Sequence, residues 1–349
     1  MLGGTQVRVA VLRGVRNIVI EERPEPRPGP GEALIKVKAV GICGSDLHLY
    51  GRGRIGNTTL SRPLVLGHEI AGEVVDVGAG VSPDLLETGV VLEPGYSCGQ
   101  CEFCKEGRYN LCPSQRFMGI GEEDGGMAEF VAWPVTHLYK IPAGLSFRAA
   151  TLVEPLAIAC QVVSHGRARP GAAVGVIGCG PVGLSTVLVA HNLGCEVHAV
   201  ETYTRRLGKA GELGAEYLYG GHPSTAEEIR ANTRGRGLDV VCETSGSREG
   251  VELALKAVRR GGRVVFVGIG GGEVPLNIDI ITRTGLSLVG SFRYVNQFPA
   301  ALSLSRRYGD KLEGLVTHTF PLSQVGEALE FTINNRAEVI KSVIVVQEA

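Results

Sequence analysis

A chain of 349 residues with 44% hydrophobic and 20% charged side chains is long enough for two ordinary cores and has the balance of a water-soluble globular protein. A formal net charge of −1 offers no basic field for nucleic acid, and no run approaches the roughly 20 apolar residues of a membrane span. Arg8, Arg13 and Arg16 interrupt the start where an export signal would carry its apolar core, so the expected setting is the cytoplasm; nine cysteines there point to metal ligands or free thiols rather than to a disulfide framework.

In chain order, short β-like runs such as 33–37 and 72–75 alternate with Gly and Pro turn signals as far as about Pro155, which predicts an antiparallel β domain. The proline-rich stretch 23–30 reads as a stiff extended connector. Two segments of this region, Gly41-Ile42-Cys43-Gly44-Ser45-Asp46-Leu47-His48 and Gly67-His68-Glu69-Ile70-Ala71-Gly72, each set a soft or borderline metal ligand beside glycine. Together with Glu154 in Leu152-Val153-Glu154-Pro155 they offer thiolate, imidazole and carboxylate to one zinc ion with a position left open, which is what chemistry at zinc requires. Cys98, Cys101, Cys104 and Cys112 lie in one short loop, dense enough to enclose a second, structural zinc with no open position.

From Ala172 the pattern changes to continuous apolar strands at 174–177, 197–200, 239–241 and 264–267 separated by helix-like segments, which predicts a doubly wound parallel sheet. The run Gly178-Cys179-Gly180-Pro181-Val182-Gly183 follows the first of these strands, opens a helix, and is followed by Glu201 at the tip of the second. Glycines there let the backbone approach a pyrophosphate at a helix N-terminus, and the acid accepts ribose hydroxyls, so the segment is read as a dinucleotide site. Glu201 would repel a 2′-phosphate and favours NAD, whereas Arg205 and Arg206 keep NADP open; Arg206 has the alternative roles of stacking on adenine or facing solvent. Helices are expected at 299–308 and 322–334, then a last strand at 341–345, and this tail is expected to return to the first domain. Cys160, Cys179, Cys195 and Cys242 are scattered among apolar or Gly-rich neighbours and read as small core residues.

Gly67-His68-Glu69-x-x-Gly72 with Gly78 and Val81, the cysteine loop and the nucleotide fingerprint together resemble the zinc-containing medium-chain alcohol dehydrogenases over nearly the whole chain. Residues 51–57, 102–111, 152–156 and 291–296 are similar, more narrowly, to the sorbitol (polyol) dehydrogenase branch. The resemblance implies an α/β protein with a GroES-like β-rich catalytic domain from 1–157 and 292–349 and a Rossmann domain from 158–291. It implies Cys43 and His68 as ligands of a catalytic zinc, Glu69 as a third or exchanging ligand, and Glu154 where simple alcohol dehydrogenases, with their Cys₂His set, carry a second cysteine. Asp46 matches the position that orients the ligand histidine. Val267 and Phe292 match cofactor contacts, and Tyr50, Phe117, Arg293 and Tyr294 match positions lining a polar substrate cleft. A homotetramer is also implied, with the 286–289 strand a candidate for pairing between subunits. At 87–93 the chain departs from the family, which usually enters this strand with Gly-Asp-Arg-Val.

The function implied is oxidation of a secondary hydroxyl of a sorbitol- or xylitol-type polyol to a ketose, with NAD as acceptor. Hydride leaves a carbinol carbon readily only as its oxygen gains negative charge, and zinc lowers the pKa of a hydroxyl that it holds. Ser45 would take the proton and His48 would pass it onward. Singly, these residues have duller roles: Ser45 capping a turn, Asp46 an N-cap, His48 at the surface. The neighbouring alternatives are a sugar 1-dehydrogenase or an enzyme like threonine 3-dehydrogenase. A catalytically inactive nucleotide-binding zinc protein is the alternative of another class.

Overall fold

The computed structural model describes residues 5–270 and 272–346, and the chain separates into two compact units, one running to Glu154 and resuming at Phe298, the other Pro155–Gln297. In the first unit the strand Glu32–Gly41 is the hub of a seven-stranded sheet. It pairs antiparallel with Glu69–Val77 on one side, and with Phe130–Pro134 and the C-terminal strand Lys341–Val345 on the other parts of its length. Its inward side chains, among them Ala33, Ile35, Val37 and Val40, are almost fully buried and join Leu66, Ile70, Val74, Trp133 and Ile344 in one core. A smaller sheet of Asn17–Pro24, Gln6–Gly14 and Leu64–Val65 closes over that core. The register decides where chemistry can occur: Gly41 lies opposite Glu69 and also opposite Val343, so three strands from distant parts of the chain end together.

The second unit is a six-stranded sheet in the order Tyr217–Tyr219, Glu196–Val200, Ala173–Ile177, Leu238–Glu243, Val258–Phe266, Ser287–Gly290, with every pair parallel. This is the doubly wound arrangement, in which the order reverses beside the first strand and ligands sit beyond the strands' carboxyl ends. The four strands that the apolar pattern announced are present; Tyr217–Tyr219, three residues long, is too short to show a period. The scattered cysteines Cys160, Cys179, Cys195 and Cys242 are buried, and all nine thiols are free.

Three details refine the sequence reading. The predicted helix at 299–308 runs Phe298–Glu313, with Tyr308 out of helical geometry, and the one at 322–334 begins as a 3₁₀ turn before Val325–Asn334. The run Phe147–Gly166 does reach the length and hydropathy of a membrane span, but 78% of it is buried within the protein, as expected of a core helix. Residues 292–297, expected with the first domain, lie within the second compact unit, where Gln161 Oε1 accepts from Val295 N and Gln297 Nε2, both at 3.2 Å, next to Ser291 Oγ, which meets His165 Nδ1 at 3.1 Å.

At the departure from the family pattern, Glu87 has φ +60°, a left-handed conformation that a Cβ disfavours by about 1–2 kcal/mol. Glycine at this position removes that strain but gains freedom in the unfolded chain. Glu87→Gly is therefore expected to stabilise the protein by about 0.5–1 kcal/mol in chemical denaturation.

Candidate active site

Cys43 is the N-cap of the helix Gly44–Arg52, which starts as soon as the strand Glu32–Gly41 ends. Glu69 begins the strand that pairs with it and His68 immediately precedes that strand, so the register carries both to the same place. One ligand atom each from Cys43, His68 and Glu69 lies within 4.8 Å of the others, and His68 and Glu69 are buried. Burial, with Glu69 next in weight, pushes the Cys43 thiol far up, so without a cation it keeps its proton. His68 Nδ1 is buried with no hydrogen-bond partner, its nearest carboxylate oxygen being Asp46 Oδ1 at 3.9 Å. A soft sulfur, a borderline nitrogen and a hard oxygen converging on one spot, with an unsatisfied imidazole among them, fit a divalent zinc ion.

Asp46 is fully buried and combines two roles: its carboxylate accepts from Cys43 N at 2.9 Å and Gly67 N at 3.2 Å, which fixes both ligand-bearing segments, and its charge faces His68. The N-cap reading and the orienting reading therefore describe one side chain. Ser45, one residue earlier, is buried with Oγ 3.4 Å from His68 Nε2. His48 is half-buried one turn further along the same helix. Phe117 lays its ring 5.4 Å from that of His68. Glu154, in the first turn of Val153–Gly166, is buried and stands outside the three-residue cluster, yet its charge contributes to the upward push on Cys43. Tyr50 lies elsewhere: its ring is in the hydrophobic core and its hydroxyl donates to Glu330 Oε1 at 3.0 Å, because it points to the opposite face of the helix from Ser45 and His48.

A residue the sequence reading missed is Lys341. Its ammonium group is 1% exposed, forms an ion pair with Glu69 and donates to Ile42 O at 3.0 Å. Gly41 makes room for this pair, since a Cβ there would lie 2.0 Å from Glu69 Oε2. The available signal was a charge heading an otherwise apolar final strand.

In the cysteine loop, the sulfurs of Cys98 and Cys112 are 3.5 Å apart, as are those of Cys101 and Cys104, well beyond a disulfide bond, and the four form one cluster. Backbone donation at Gln100 and Cys101 pulls the exposed Cys98 thiol down to about 6 and the Ser97 hydroxyl pulls Cys104 down, while Cys101, which donates its thiol hydrogen to Cys104, is pushed up to about 11, so two of the four favour the thiolate before any cation arrives. Four such sulfurs suit a closed tetrahedral zinc. Glu93, also missed, docks the loop onto the sheet: its buried carboxylate accepts from Tyr109 at 2.8 Å and Tyr139 at 3.0 Å.

In the second unit, Gly178 ends the strand Ala173–Ile177 and Gly180 caps the helix Pro181–Asn192, with Pro181 at its first position. A Cβ on Gly180 would meet nothing within 4 Å, whereas one on Gly183 would lie 1.9 Å from Gly178 O, so this turn is open outward and tight inward, as a pyrophosphate cradle must be. Val182 holds its turn through Thr186 Oγ1, which donates to Val182 O at 2.8 Å. Glu201 is buried; Oε2 accepts from Cys179 N at 2.8 Å and Oε1 from Thr202 N at 2.7 Å and Tyr203 N at 3.0 Å. Arg206 stacks over Tyr203, 5.2 Å from the ring centre. Val267 follows the strand Val258–Phe266, with its N–H on Glu243 O at 2.9 Å. Arg293, at φ +52°, stacks on the exposed ring of Phe292, and Tyr294 is buried; all three belong to this unit.

Residues 29–143 match the alcohol dehydrogenase GroES-like domain, and residues 181–307 match the zinc-binding dehydrogenase domain. A sorbitol dehydrogenase of Bacillus subtilis is 37% identical over 341 residues, covering 97% of this chain and 97% of that protein. Among solved structures, L-idonate 5-dehydrogenase of Escherichia coli superposes with a TM-score of 0.90 at 28% identity, covering 98% of this chain and 99% of that one. An E. coli alcohol dehydrogenase solved with NADH superposes with a TM-score of 0.89 at 28% identity, covering 98% of this chain and 100% of that one.

Removing one partner of a buried ion pair strands the other charge. Lys341→Met is expected to cost about 3–5 kcal/mol in denaturant unfolding, and the double variant Lys341→Met/Glu69→Gln to recover most of that loss.

Proposed function

The chain belongs to the zinc-binding alcohol dehydrogenase family with a GroES-like domain, and from that footing we propose that Cys43, His68 and Glu69 hold the catalytic metal, with Glu154 beside them. The protein is a zinc-dependent oxidoreductase that takes hydride from a secondary hydroxyl of a polyol and gives it to NAD, leaving a ketose. The observation that carries the site assignment is the convergence of three unlike ligand atoms within 4.8 Å.

Zinc, when bound, supplies Lewis acidity that makes a hydroxyl easier to deprotonate. The side chains of this chain do the rest. Ser45 Oγ, fixed beside His68, receives the hydroxyl proton, and His48, one helical turn later, passes it to solvent. Asp46 keeps the ligand segments in place so that no reorganisation is needed during turnover. Phe117 covers the His68 ring and excludes water. Arg293 and Tyr294 supply polar contacts for the further hydroxyls of an open-chain polyol. Glu201 receives the ribose hydroxyls of NAD, with its carboxylate already anchored on the fingerprint loop. The loop of Cys98, Cys101, Cys104 and Cys112 holds a second zinc that ties down the loop.

A homotetramer in the cytoplasm completes the reading. Free thiols throughout support a reducing compartment. The edge strand Ser287–Gly290, near the exposed apolar side chains of Ile278 and Ile280, supports pairing between subunits. Sedimentation as a monomer at working concentration would remove the assembly proposal.

Metal analysis should find two zinc ions per chain, falling to one in Cys43→Ser with loss of turnover. NADH formation from sorbitol or xylitol should stop on chelation and return with zinc, while activity confined to simple aliphatic alcohols would defeat the substrate assignment. Because half-buried Cys43, set among carboxylates, holds its proton when metal-free, zinc binding releases that proton, and affinity at this site should rise with pH. Competition with a chelator across pH 6 to about 8 reads the sign.

A further inference from the structure

Resting on the dinucleotide-binding reading above, we propose that Glu243 is a positioning residue for the cofactor, its buried carboxylate locking together the loops that leave three neighbouring strands beside the Gly178 turn. Glu243 is the last residue of the central strand Leu238–Glu243 and is 1% exposed. By register it lies between Ile177, which precedes the fingerprint, and Phe266, which precedes Val267. A charged residue at that depth demands explanation, since an uncompensated carboxylate would cost several kcal/mol.

The compensation comes entirely from loop backbone and one hydroxyl. Oε1 accepts from Ser245 N at 2.9 Å, from Gly246 N at 3.1 Å and from Ser245 Oγ, and Oε2 accepts from Gly246 N at 3.2 Å. The main-chain carbonyl of Glu243 accepts from Val267 N at 2.9 Å and Gly268 N at 3.1 Å. The loop so held grips the fingerprint: Thr244 Oγ1 donates to Gly178 O at 2.6 Å and Thr244 N to Ile177 O at 2.9 Å. Packing leaves no slack, because a Cβ on Gly178 would lie 2.8 Å from Ser245 Cβ and one on Gly268 would lie 2.0 Å from Gly246 N. Three strand-end loops therefore meet backbone to backbone, and the carboxylate beneath them satisfies the donors of the middle loop. The helix Arg248–Ala257 starts just beyond, with Ser247 as its N-cap, and its N-terminal dipole favours the negative charge.

The chemistry requires a group that only accepts. Glutamine has nearly the same shape and, with its amide oxygen in the place of Oε1, keeps the Ser245 contacts, but its NH₂ in the place of Oε2 then faces the Gly246 N–H, donor against donor, and pushes that residue away. The Gly246 end of the Thr244–Gly246 loop would then be displaced, and with it the surface that holds the Gly178 turn at the pyrophosphate. Burial pushes the Glu243 carboxyl above its ordinary value, with the Ser245 and Gly246 donors pulling the other way and favouring the charged, accepting form.

The test is fluorescence titration of the zinc-loaded enzyme with NADH, alongside zinc content and thermal unfolding. Glu243→Gln is expected to weaken NADH binding at least tenfold with both zinc ions retained, and to raise KM for NAD more than it lowers kcat. Ser245→Ala, which removes only the hydroxyl donor, is expected to weaken binding two- to fivefold and serves as the deciding variant if Glu243→Gln does not fold. A folded Glu243→Gln that melts lower but binds NADH within twofold of the parent overturns the proposal, as does an unchanged affinity in Ser245→Ala when that variant decides. Parent enzyme that binds neither NADH nor NADPH would refute the dinucleotide reading itself, a separate outcome.

Discussion

The pairing register of three strands governs the first unit. Glu32–Gly41 is held on one side by Glu69–Val77 and on another part of its length by Lys341–Val345, and the point where these strands end brings Cys43, His68, Glu69 and Lys341 together. A strand's side-chain period is two, so a slip of one residue would turn His68 away from Cys43 and Lys341 away from Glu69. The buried apolar faces of all three strands oppose that slip, and the same packing that stabilises the sheet sets the geometry of the ligand cluster.

Buried charge marks the functional places throughout. Asp46, Glu69, Glu93, Glu201 and Glu243 are each withdrawn from water, and each has its oxygens matched to an ammonium group, backbone N–H groups or hydroxyls. Such arrangements contribute little net stability compared with apolar packing of the same volume. Their effect is to fix loop conformations, since any other conformation would leave a charge unpaired in a low dielectric. The metal-ligand segments, the cysteine loop and the dinucleotide turn are all loops held in this way.

The two sulfur-bearing sites differ in a way that suits the roles proposed for them. Cys43 lies deep among carboxylates, where its thiol resists ionisation and where three unlike donors leave coordination space. The loop cysteines run from exposed Cys98 to buried Cys112, with backbone N–H groups drawing Cys98 toward thiolate and four identical donors that suit a closed tetrahedron. One environment suits reactivity and the other suits holding a loop.

Much of this was legible in the sequence because the relevant motifs are local. The Gly178–Gly183 turn, the cysteine loop and the alternation of apolar strands each declare themselves within a few residues, since backbone approach, ligand spacing and burial of a parallel sheet all impose short-range patterns. Cys43 and His68 were recognisable singly, but that they meet is decided by strand register over a separation of 25 residues. Lys341 and Glu243 left only a faint signal, a charge at the end of an apolar strand, and such a residue announces burial only when its partner, brought from elsewhere in the chain or from the next loop, is known. Tyr50 shows the converse, because the family resemblance placed it in the substrate cleft, while helical geometry turned it into the core and onto Glu330. Sequence thus determined which chemical groups the protein has and which turns it can make; tertiary structure decided which groups face one another, because pairing across strands depends on the whole sheet and not on any segment of it.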